Sequence, residues 1–553
     1  MKYLNTKLIL GLVITFLCGA FVGKVIDNQI ITSEVIQQAE KIIGLDFTPS
    51  EADSMQDNLN ARLKNYEALR KIPLGNDVPP ALQFDPITAD FVPETGKSFF
   101  IPSKIGTVSL PQNRDELAFY SVRQLAELIR TKQISSTELT KFFLERLKKY
   151  DPQLHCVITL TEDLALKQAA AADAEIKAGK YRGLLHGIPY GAKDLLAKKG
   201  YKTTWGSVPY KEQTIDLDAT VIQKLEKAGA ILCAKTSLGE LASGDVWFGA
   251  KTRNPWNTER GSSGSSAGTS SAVSAGLLPF GIGTETYGSI VSPSSECGTT
   301  GLRPTFGRIS KYGAMALTWS MDKIGPIART VEDCAIVFNA IYGTDGKDLT
   351  VKDLPFKYDG NATLEGIRIG YLQKEFERNY PNKKTDSLTL LKLASLGAKL
   401  IPMDLPDFPA NDMTFIVSVE GAAAFDDLTR SGKDDLMVRQ GKSGWPNGFR
   451  SSRLVPAVEY LQVNRMRTLM CEDMEKRLAT IDVYLSPAFG KNLPLTNLTG
   501  HPCVVLPNGF RANGTPMSIT FMGKLYGEGK LLTVAKVYQD ATDFHLKHPK
   551  MGN

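Results

Sequence analysis

Histidine and cysteine are both scarce in this 553-residue chain. The five histidines stand at 155, 186, 501, 545 and 548, and none forms HExxH. That excludes a His-rich metal site. The seven cysteines, at 18, 156, 233, 297, 334, 471 and 503, contain no CxxC and no short even spacing. A disulfide scaffold and a zinc module are excluded in turn. Lysine and arginine never gather in long runs, and a net charge of +6 is small for so large a surface. Nucleic acid is therefore not an expected partner. What remains is ordinary: 42% hydrophobic and 22% charged residues exclude a disordered or fibrous chain and leave ample material for a core.

The amino terminus differs from the rest. Lys2 and Lys7 precede an uncharged apolar run, Leu8 to Gly23, which Lys24 closes. The run is shorter than the ~20 residues that cross a bilayer comfortably as a helix. A basic start, a short apolar stretch and small residues near its end (Gly19, Ala20, Gly23) fit an export signal. Cleavage would follow Ala20 or Gly23; otherwise residues 8–23 stay as an anchor that associates with the membrane. Either way the body is expected outside the cytoplasm, periplasmic or extracellular, with its thiols buried or paired. Bulky Phe16 and Leu17 ahead of Cys18 argue against a lipoprotein.

Residues 25–114 read as a helical and extended extension. Glu51–Lys71 has helical character, and Pro73, Pro79, Pro80 and Pro86 then enforce an extended path. Residues 115–549 read as the catalytic domain. Ser121 with Gln124 and Ser135 with Glu138 have the spacing of reciprocal N-terminal caps, which predicts helices over about 122–132 and 136–150. The Ala-rich stretch 163–180 reads as a third helix. Ala219–Gly229 reads as a fourth, followed by the short strand ILCAKTS. This alternation implies an α/β fold, a large mixed sheet covered by helices on both faces. The polar stretch 346–400 reads as peripheral, and strand character returns at 483–486 and 501–507.

Between Gly261 and Ser310, 22 of 50 residues are Gly or Ser. A flexible linker does not account for them, because AVSAGLLPFGIG, IVSP and TTGLRPTFG interrupt the run in order. A phosphate-cradling loop fails too, since GxxxxGK[ST] is missing. Gly264–Gly268 formally matches GxSxG, which would make Ser266 the nucleophile of an α/β-hydrolase with a later histidine. That pattern arises easily by chance in such composition.

Residues 261–310 resemble the signature of the amidase signature family, and HGIPYGAKD at 186–194 resembles that family's lysine motif. NPWN at 254–257 and the run from Asp322 through GPIART to Asp333 also match. The resemblance covers roughly residues 115–545 and implies a Ser–cis-Ser–Lys triad. Ser289 would be the nucleophile, Ser265 (in a cis peptide) the proton relay, and Lys193 the base. It also implies an oxyanion hole from the backbone N–H groups of Thr286, Tyr287, Gly288 and Ser289, and no metal or cofactor. Chemistry agrees. A serine hydroxyl is a poor nucleophile until its proton is removed, and lysine removes it only when neutral. Lys193 must therefore be desolvated. Pre-aimed donors such as those in the hole can contribute about 3–4 kcal/mol each.

Asp194, Ser266 and Glu285 are read as supporting residues around the triad, and His186 as structural. Many family members read GTDTGGSIR where this chain has GTETYGSIV. Glu285 and Val291 resemble the bacterial peptide-amidase branch, whereas Tyr287 adds a ring that would narrow the acyl site or favour an aromatic or apolar substrate. Ser263 and Ala267–Gly268 are small departures. The expected reaction is hydrolysis of a small-molecule or peptide carboxamide. Alternatives are an amidotransferase A-subunit-like glutaminase or asparaginase, a fatty acid amide hydrolase-like activity, and a catalytically silent binding protein. Export argues against the first, and the intact Lys193/Ser265/Ser289 set against the last. A homodimer is compatible with the sequence, which sets no oligomeric state.

Overall fold

A computed structural model describes residues 31–551. The expected signal or anchor segment lies outside the described residues. Within them, no helix is long and apolar enough to cross a membrane. The chain divides into two compact units, one reaching to Gly75 and including Leu454–Pro456, the other holding Asn76–Arg453 and Ala457–Asn553.

The first unit is a helical hairpin of α1 (Ser33–Ile43) and α2 (Pro49–Leu69). Thr48 and Glu51 form a reciprocal cap, and Pro49 supplies a first-turn residue with no N–H to satisfy. Gly44, at φ +68°, ends α1 in a left-handed turn.

The second unit is built on an eleven-stranded sheet. In chain order its strands are β1 (Val157–Leu160), β2 (Pro189–Lys193), β3 (Ile231–Thr236), β4 (Phe280–Glu285), β5 (Thr300–Arg303), β6 (Lys323–Ala328), β7 (Arg368–Leu372), β8 (Lys399–Met403), β9 (Val483–Pro487), β10 (Cys503–Phe510) and β11 (Pro516–Gly523). Their spatial order is β8-β7-β9-β11-β10-β5-β6-β4-β2-β3-β1. β2 runs parallel to β3 and β4, and β7 to β8 and β9; the remaining pairs are antiparallel. Every residue of β2, β3, β4, β9 and β11 is buried, so helices cover both faces of the sheet there. The expected mixed α/β architecture is the one observed.

Both predicted cap pairs form. They start α3 (Val122–Arg130) and α4 (Ser136–Leu154) at the residues the spacing indicates. α5 (Glu162–Lys177) and α6 (Thr220–Lys227) occupy the Ala-rich and 219–229 segments. Residues 76–114 belong to the larger unit: Asn76 bonds Ala316 through both its amide atoms, and Phe99–Ile101 pairs with Lys357–Asp359. The stretch read as peripheral contributes β7 and β8 at one end of the sheet, where β8 forms the half-exposed edge.

The Gly/Ser-rich stretch has a packing role. Its helix α7 (Ala267–Ser274) is buried at all eight positions. A Cβ on Gly268 would lie 2.2 Å from the Cys156 carbonyl oxygen, and one on Gly283 of β4 would lie 2.7 Å from Ser266 Oγ. At Gly268 the helix meets backbone just before β1 and just after β3, and at Gly283 β4 meets the start of the helix, so closely that no larger residue fits at these two positions.

Candidate active site

Lys193 ends β2 with its side chain wholly buried. Its Nζ donates to Ser265 Oγ at 2.8 Å, to Thr284 Oγ1 at 2.8 Å and to Ser266 Oγ at 3.2 Å. Three hydroxyls surround the amine, and among the described residues no carboxylate pairs with it. Burial pulls its pKa from 10.5 down to about 7, and the more distant charges of Asp322 and Glu285 oppose only part of that fall. A substantial fraction of the amine is therefore neutral near pH 7.

Ser265 follows a cis peptide bond from Gly264, on the loop that leads into α7. Ser266 is fixed to β4: its hydroxyl donates to Thr284 O and accepts from Thr284 N, both at 3.1 Å. Its backbone N–H donates to Ser289 O at 3.1 Å, which joins the two serine loops. Exposure rises outward through the triad, from 0% at Lys193 and 1% at Ser265 to 9% at Ser289. That order suits a nucleophile meeting substrate from solvent and a base kept dry behind it. The Ser289 hydroxyl has no hydrogen-bond partner among the described residues, so the inner link of the expected relay is formed here and the outer link is not.

Ser289 lies between β4 and the short helix α8 (Val291–Cys297). Glu285, the last residue of β4, staples this turn. One carboxylate oxygen accepts from Ile290 N and Val291 N at 2.9 Å each. The other accepts from Arg303 at 2.8 Å and Asn497 at 2.9 Å. Burial pushes the Glu285 pKa up, but Arg303 and the amide donors overcome it and hold the group at about 2. Thr286 is tied down separately, donating from Oγ1 to Asp322 at 2.5 Å; Asp322 also accepts from Leu317 N and Thr318 N. Between these two anchors, the backbone N–H groups of Thr286, Tyr287, Gly288 and Ser289 find no acceptor among the described residues. Gly288 adopts φ +93°, a conformation that glycine takes without strain. Tyr287 is 41% exposed, so its ring is accommodated at the surface rather than in the core.

The Asp194 side chain hydrogen-bonds none of the three triad side chains. It forms a wholly buried ion pair with Lys235 at 2.6 Å and accepts from Thr204 N and Oγ1, fixing the chain as it leaves β2. His186 accepts from Arg182 N at 3.1 Å, as a structural residue would. The Ser266 hydroxyl is engaged with β4 and Lys193, and no histidine is bonded to it. His501 bonds Thr499, and His548 stacks on Phe119. The α/β-hydrolase alternative fails on that arrangement. Among the described residues, no group of three or more His, Cys, Asp or Glu is placed to hold a metal ion. Sequence reasoning missed Thr284, Asn497, Arg303 and Asp322 as partners of the site. Three lie inside the motif stretches, but nothing in one sequence separates such a contact from a core residue.

In sequence and fold the chain is similar to known amidases. A family model described as Amidase matches residues 138–495. The A-subunit of glutamyl-tRNA(Gln) amidotransferase from Marinomonas sp. (strain MWYL1) is 35% identical over 482 residues, covering 78% of this chain and 99% of that protein. The native peptide amidase of Stenotrophomonas maltophilia superposes with a TM-score of 0.70 at 29% identity, over 78% of this chain and 98% of its own. The peptide amidase PAM, in complex with the competitive inhibitor chymostatin, gives 0.72 at 28%, over 79% and 100%.

Proposed function

Because the chain belongs to the amidase signature family, we propose that it is a serine amidohydrolase, cleaving a carboxamide through an acyl-enzyme on Ser289. The observation that carries this reading is a buried lysine amine, held by three hydroxyls and with its pKa drawn to about 7 by burial. Neutral Lys193 takes the proton of Ser265 as Ser265 takes that of Ser289. Ser289 Oγ then bonds to the carbonyl carbon, and the oxyanion meets the unpaired N–H groups of residues 286–289. The proton returns through Ser265 to the leaving nitrogen, the C–N bond breaks, and ammonia or an amine departs. Water, deprotonated along the same path, releases the acid and restores Ser289.

The peptide amidase neighbours favour a peptide amide or similar linear amide. Ammonia release from amidated peptides, acyl amides and glutamine tests the choice. Turnover of amidated peptides that Ser289→Ala abolishes is expected. The amidotransferase relative supports a second reading, a glutaminase that passes ammonia to a partner; glutamine as the sole productive substrate would establish it instead. An exported location rests on residues 2–24 alone, and cell fractionation tests it.

A further inference from the structure

We propose that Thr284 is a positioning residue that turns the lone pair of neutral Lys193 toward Ser265; the inference rests on the lysine-base reading. A protonated lysine has three N–H donors, and three hydroxyl oxygens stand within 3.2 Å of this one. A neutral lysine has two N–H donors and one lone pair, so one of the three contacts must reverse. Ser266 is not the one, because its single proton is given to Thr284 O. Ser266 therefore accepts, and one N–H is used there. The second N–H and the lone pair are divided between Ser265 and Thr284. Only one division is productive: the N–H on Thr284 and the lone pair facing the Ser265 proton.

Without the Thr284 hydroxyl the balance inverts. The amine then satisfies both N–H groups on Ser265 and Ser266, and its lone pair faces an apolar wall. Regaining the productive orientation would leave a buried N–H unpaired, a state that slows turnover about 10- to 100-fold. Thr284 is suited to the task, because its position on β4 is fixed by backbone pairing to β6 and its backbone N–H and carbonyl are both bonded to Ser266.

Thr284→Val, which keeps the shape and removes the hydroxyl, is expected to lower kcat about 10- to 100-fold with KM nearly unchanged. It also removes an acceptor that favours the ammonium form. The charged groups that bear on Lys193, Asp322 and Glu285, remain in place. The acidic limb of kcat should therefore move to lower pH. Thr284→Ser should restore both kcat and the limb. Near wild-type kcat in Thr284→Val, an unmoved limb, or a Ser variant as impaired as Val would each overturn the inference. Should Thr284→Val fail to fold by circular dichroism, Thr284→Ala carries the same expectations. Lys193→Met, assayed alongside, separates the two levels. An active Lys193→Met sinks the lysine-base reading itself, whereas a dead Lys193→Met beside an unaffected Thr284→Val sinks the Thr284 role alone.

Discussion

Lys193 is held where an ammonium ion is disfavoured, and this has a consequence for stability as well as for catalysis. Its pKa is about 7 in the fold against 10.5 for an ordinary lysine. Between those values the unfolded chain binds a proton that the folded chain does not. The residue therefore costs stability near pH 7, and the cost shrinks as pH rises toward 10.5. Lys193→Met should gain melting temperature over the wild type by more at pH 7 than at pH 10, as scanning calorimetry at the two pH values would show. Glu285 makes the opposite case, since its charge is fully used. Glu285→Gln keeps the shape but leaves Arg303 buried without its counter-charge and weakens the hold on Ile290 and Val291. The expected loss is about 3–5 kcal/mol in denaturant unfolding, with kcat falling along with stability.

At the scale of elements, the chemistry sits where a strand, a tight turn and a short helix follow one another, with α7 pressed against the strand. Gly264, just ahead of the relay serine, lies so close to the neighbouring loop that an added Cβ would stand 1.9 Å from the Gly244 carbonyl oxygen. Gly264→Ala should displace Ser265 and cost at least a hundredfold in kcat, read by steady-state assay with circular dichroism as the control for folding. Much of this level was legible in the sequence. The cap pairs at Ser121/Gln124 and Ser135/Glu138 act within four residues and need no tertiary partner, so their helices start where expected. β7 and β8 went unread because the polar residues around them masked the strand pattern, and β8, at the sheet edge, needs less apolar sequence. At the site, Lys193 and Ser265 of the implied triad are bonded, with Ser266 beside them, whereas the Ser289 hydroxyl bonds neither. The contacts of Thr284, Arg303 and Asn497 depend on strands and helices distant in sequence, which periodicity does not encode.

For the whole molecule, the thiols supply an independent check on how the chain is packed. All six described cysteines are free and buried. Burial pushes up the pKa of every one of their thiols. Native protein treated with iodoacetamide should accept label at none of Cys156, Cys233, Cys297, Cys334, Cys471 and Cys503, by peptide mass mapping, and keep its amidase activity. Prior denaturation should expose all six.

The most direct measurement concerns the proton path itself. A serine-directed fluorophosphonate would be reacted with the wild type and with Lys193→Met from about pH 5 to about pH 9, and the labelled peptide identified by mass spectrometry. The expected result is label on Ser289 alone, at a rate that climbs through one titration near pH 7 in the wild type and stays slow and flat in the variant. Equal rates in the two proteins, or label on Ser266, would contradict a neutral lysine drawing the proton from Ser289.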